Sequence, residues 1–128
     1  MILALLAAQA ATPAPIEGLW INPAKSVIIA IAPCGEALCG TVRWASTEAQ
    51  AEARKGTPQL VGTALLTGLV PKGERWRGKL FIPDRKMRAT ARLALDGGQL
   101  KVSGCTLGKL LCRTQLWSRT AEPLPAVP

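Results

Sequence analysis

The chain reads as all-β, an antiparallel meander of about eight strands closed as a small barrel with one short helix. Three observations predict this. Short apolar or alternating runs recur along the sequence, and Gly, Pro and Asp-Gly signals punctuate them at close spacing. An antiparallel meander also exposes two edges unless it closes on itself, and closure is the usual remedy. At 128 residues the chain fits one domain, with room for a single core.

The first strand falls on Gly18 to Ile21, and the apolar runs Ser26 to Ala32 and Leu38 to Trp44 supply the second and third. Thr47-Glu48-Ala49-Gln50 then fits a T-x-x-Q capping box, and the alanine-rich AEARK that follows ends at Gly56. A short helix lying over one end of the sheet is predicted there. Strands resume at Gly62 to Val70, Glu74 to Ile82, Lys86 to Leu95, Gln99 to Cys105 and Leu110 to Arg119. Asp96-Gly97-Gly98 is the cleanest hairpin signal and Pro83-Asp84 the next.

Residues outside this span read differently. The opening run MILALLAAQA has the length of a signal-peptide core and closes on the small-x-small site Ala8-Gln9-Ala10. It is shorter than the roughly 20 apolar residues a bilayer span takes. No Lys or Arg precedes it, so the true start is expected upstream. Residues 1–10 are thus assigned as a signal peptide, 11–16 as a linker and 17–119 as the barrel domain. The tail 120–128, with three prolines in AEPLPAVP, is assigned as disordered. A periplasmic or secreted location follows.

Export sets the reading of Cys34, Cys39, Cys105 and Cys112, because oxidising compartments turn an even cysteine count into disulfides. Cys34 and Cys39 are expected to face one another across a four-residue loop, Gly35 to Leu38, and Cys105 and Cys112 to bracket Thr106 to Leu111 in the same manner. Facing residues of antiparallel strands lie within disulfide reach. A zinc site competes poorly: the second pair is C-x6-C, and no histidine is present to complete a mixed ligand set. No metal and no cofactor are expected.

Charge is concentrated. The chain carries 16 Lys plus Arg against 8 Asp plus Glu, a net +8. Between Lys72 and Arg92 eight basic residues meet only Glu74 and Asp84, so most of that excess sits in one hairpin. Alternation places Arg75, Arg77 and Lys79 on one face of the first strand, with Trp76, Leu80 and Ile82 on the other. In the partner strand Lys86, Arg88 and Arg92 share a face. Several like charges without interleaved acids would attract phosphates, on anionic lipid headgroups, lipopolysaccharide or nucleic acid. Nucleic acid is not expected, given export and the scarcity of stacking aromatics, with one Phe and no Tyr.

Catalytic constellations are poor. There is no histidine or tyrosine, no G-x-S-x-G, no phosphate-cradling glycine loop, and no carboxylate pair with a visible reason to be poised. A non-enzymatic role is expected.

Gly18-Leu19-Trp20, Ile31-Ala32-Pro33-Cys34-Gly35, Leu38-Cys39-Gly40, Leu100 to Cys105 and Leu111 to Trp117 together resemble a family of small exported bacterial proteins catalogued as a domain of unknown function. The resemblance covers nearly all of residues 17–119 and implies an exported single domain, with no activity to transfer. A second resemblance is to the lipocalin-like barrels, whose first strand carries Gly-x-Trp and whose last carries a basic residue packed on that tryptophan. It implies a cluster of Trp20, Trp117 and either Arg113 or Arg119. Two functions are then expected: carriage of a small apolar or amphiphilic ligand inside the barrel or, alternatively, contact of the basic hairpin 72–92 with anionic lipid or an acidic protein at a membrane periphery. The sequence sets no oligomeric state.

Overall fold

The structure, a computed structural model, describes residues 14–106 and 111–121. The proposed signal peptide, residues 11–13 of the linker and most of the proposed tail lie outside the described residues.

Eight strands follow one another around a closed barrel in chain order, each antiparallel to the next. They are β1 (Gly18–Ile21), β2 (Val27–Cys34), β3 (Ala37–Ala45), β4 (Ala64–Lys72), β5 (Arg75–Ile82), β6 (Met87–Asp96), β7 (Gln99–Thr106) and β8 (Leu111–Arg119). One helix, α1 (Thr47–Ala53), interrupts them between β3 and β4. The turns follow their residue chemistry. Gly97 and Gly98 take φ of 59° and 87° between β6 and β7, the pair of positive values that a type I′ hairpin requires.

Three local expectations are corrected. The β2–β3 connection is a two-residue turn at Gly35-Glu36, with Cys34 opposite Ala37 and Ala32 opposite Cys39, so the two cysteines are diagonal neighbours instead of facing residues. The N-cap of α1 is Ser46, whose side chain accepts from the Ala49 amide, and Gln50 donates to the Ala45 carbonyl. Thr47 is therefore the first helical residue and makes no T-x-x-Q box. Pro83–Arg85 form a single 3-10 turn that ends on Lys86 at φ 52°, which takes Lys86 out of the β6 ladder and off the alternation it was expected to share with Arg88 and Arg92.

Alternation builds the core. Inward positions on β5 through β7 are Trp76, Gly78 and Leu80, then Ala89, Ala91 and Leu93, then Leu100 and Val102; Trp76 stands opposite Leu93, and Gly78 opposite Ala91. Trp76, Leu80, Ala91, Leu93, Leu100 and Val102 join Trp20, Ile29, Ile31, Val42, Leu66, Leu69 and Trp117 in one apolar cluster through the lumen. It is closed at one end by Ile16, fully buried ahead of β1, and reaches Ala53 of α1 and Leu60 at the other. The helix thus lies over one end of the barrel, where the sequence places it, and buries Ala53 there.

Candidate anion-binding face

The outward positions of β4 to β7 are the complement of that core. Arg75, Arg77 and Lys79 alternate with the inward Trp76, Gly78 and Leu80, while Arg88 and Arg92 alternate with Ala89, Ala91 and Leu93. Pairing fixes their neighbours. Arg77 stands directly opposite Arg92, and Lys72 directly opposite Arg75. Directly opposed residues have Cβ atoms about 4.5–5.5 Å apart, and like charges so placed are destabilising. Among the described residues none of these cations has a carboxylate partner. Arg88 instead rests over the Phe81 ring, its Cζ 4.8 Å from the centroid.

One cation of this face escaped sequence reasoning. Lys101 on β7 lies opposite Ala94 of β6, outside the hairpin that carries the charge run, and joins it only through the β6–β7 pairing. Arg75, Arg92, Lys101 and Ser103 line a groove that also reaches the Cys105–Cys112 disulfide. Next to Ser103, Thr114 shares a hydroxyl hydrogen bond with it at 2.8 Å. Cations and hydroxyls along one open groove can hold the oxygens of a phosphate. Two exposed apolar side chains flank the face: Val70, 43% exposed, opposite Arg77, and Leu116, 40% exposed, opposite Lys101.

A second set of residues closes the barrel. Trp20 pairs with Arg119 across the β1–β8 seam, and the Arg119 guanidinium lies 4.0 Å from the Trp20 ring centroid. The same guanidinium donates to the Glu17 carbonyl at 2.6 Å and the Pro15 carbonyl at 2.7 Å. From the other side the Trp20 indole donates to the Ile16 carbonyl at 2.9 Å. Gly18 takes φ 122°, and a Cβ there would meet Arg119 Nη1 at 2.6 Å. The Gly-x-Trp spacing is thus a steric requirement of this stack. Of the two arginines weighed from sequence, Arg119 makes the contact. Arg113 is exposed opposite Gly104, remote in register from Trp20. Trp117 is buried opposite Leu100, its indole donating to Gln115 at 3.1 Å.

The cysteines pair as Cys34–Cys39 and Cys105–Cys112, with Cα separations of 5.8 Å and 4.0 Å, and none is free. Both bridges staple hairpins, and two structural disulfides point to an oxidising, non-cytoplasmic compartment.

A family model described as "Uncharacterized protein conserved in bacteria (DUF2147)" matches residues 18–119, and the chain belongs to that family. No curated protein and no solved structure was found to match it.

Proposed function

We propose that this protein is an exported, non-enzymatic docking module that binds anionic phospholipid surfaces through the outward face of β4 to β7. The observation that carries the reading is the run of Lys72, Arg75, Arg77, Lys79, Arg88, Arg92 and Lys101 on contiguous strands, with like charges directly opposed at two positions. Phosphate oxygens between Arg77 and Arg92 would relieve that repulsion, and Val70 and Leu116 at the margins suit the apolar depth beneath a headgroup layer. The alternative, carriage of an apolar ligand in the lumen, would require displacing Trp20, Leu66, Leu69, Leu93 or Trp117 from a packed cluster.

Flotation with vesicles containing phosphatidylglycerol tests the proposal. A cation near an anionic membrane contributes about 1 kcal/mol, so the double variant Arg77→Gln, Arg92→Gln is expected to bind roughly 30-fold more weakly than the parent. Equal binding by parent and variant would contradict the assignment of this face.

A further inference from the structure

The barrel seam is incomplete along most of β8. β1 has 4 residues and β8 has 9, and their pairing ends at Ile21 opposite Ser118. The next residues do not continue the ladder. Asn22 Oδ1 accepts from the Ser26 and Val27 amides at 2.8 and 2.9 Å, its side chain donates to Ser26 Oγ at 3.0 Å, and Pro23 has no N–H to give. A tight turn with Lys25 at φ 57° therefore carries the chain away from β8.

Antiparallel alternation then identifies the groups left on the open edge. Thr120 donates its amide to the Leu19 carbonyl on the β1 side, so even-numbered residues of β8 direct their N–H and C=O toward that edge. Thr114 and Leu116 are such residues, and above Ser118 they have no β1 neighbour to meet. Every residue from Leu111 to Leu116 is exposed, on both faces of the strand. The strand is nonetheless held in place, by the cross-strand disulfide at Cys112 and the Ser103–Thr114 hydroxyl pair. A groove runs along the seam between Lys25 and Pro23 on one wall and Thr114, Leu116 and Ser118 on the other.

We infer that this edge of β8 receives an extended, acidic, proline-free segment of a partner protein as an added strand. Backbone pairing with Thr114 and Leu116 supplies the register. Charge selects the occupant, because among the described residues no carboxylate lines the groove, while Lys25 and Arg119 do. A second copy of this chain, with net charge +8, would be repelled. Apolar side chains alternating with the acids would lie against Ile21 and Leu116.

The test uses the full chain with disulfides intact and a synthetic peptide, acetyl-(Glu-Val)4-amide, followed by amide hydrogen exchange in NMR. The Thr114 and Leu116 amides should exchange freely in the protein alone and at least tenfold more slowly at saturating peptide. The same peptide N-methylated at alternate residues should give no protection. Three results would overturn the inference: protection of both amides without peptide, protection that grows with protein concentration alone, or perturbation confined to Arg77 and Arg92. The last would leave the lipid-docking proposal untouched while removing this one.

Discussion

Arg119 shows how one side chain can hold a barrel shut. Its guanidinium covers the Trp20 face and bonds two carbonyls of the segment ahead of β1, tying the last strand to the chain's entry into the first. A cation over an indole contributes about 0.5–2 kcal/mol, and hydrogen bonds to a charged group about 1.5–3. Arg119→Ala is therefore expected to lower stability by about 2 kcal/mol, read as a fall in Tm of roughly 10 °C. Arg119→Lys should recover only part of this, since an ammonium lacks the planar fork that reaches both carbonyls. Gly18→Ala should reproduce much of the loss without touching the arginine, because it combines a positive φ with a Cβ driven into the guanidinium. Trp20 is also distinguished from Trp44. The Trp20 N–H is bonded to Ile16, whereas the Trp44 N–H is buried with no partner among the described residues. Replacement by Phe should cost more at Trp20 than at Trp44, a comparison that denaturant unfolding reads directly. Gly-x-Trp was visible in the sequence; which arginine answered it was not, because Arg113 and Arg119 both lie on the last strand and only the register Trp20 to Arg119 separates them.

Among the elements, hairpins were legible because their turns carry the chemistry: Gly97-Gly98 left little freedom in placing β6 and β7. The helix cap was misread by one residue for an equally local reason. Ser46 and Thr47 are adjacent and both can cap, and the choice fell to the buried Ser46 while Gln50 was engaged by the Ala45 carbonyl. Ser46→Ala should cost about 1 kcal/mol, as measured by chemical denaturation. The disulfides occupy hairpin ends where core packing is thin: Ala32 through Glu36 are exposed, as is β8 from Leu111 to Leu116. Replacing Cys105 and Cys112 by Ser should cost about 2 kcal/mol on the chain-entropy model. Faster amide exchange should appear at the Cys112 end of β8 and not around Trp117, where the strand packs on Leu100. The open seam beside β8 could not be read in advance, since it depends on the lengths of two strands at opposite ends of the chain.

Taken together, the strands divide the molecule into a packed inside and a charged outside. Alternation in β5 and β6 made the basic face apparent from sequence, but its extent did not follow from a charge run. Lys101 joined through cross-strand pairing, and Lys86 left through a left-handed turn. Side chains from Ile16 to Leu60 pack as one cluster through the lumen, and the proposed contact lies on the outer surface, where Arg77 and Arg92 stand opposed. The most direct test is a salt titration of the parent protein on phosphatidylglycerol vesicles, with phosphatidylcholine vesicles alongside. Docking through the basic face predicts binding to the anionic vesicles alone, falling at least tenfold between about 50 and 200 mM salt as the exposed charges are screened. Salt-independent uptake of an apolar probe that changes Trp20 and Trp117 fluorescence, without vesicle binding even at 50 mM, would contradict it and return function to the barrel interior.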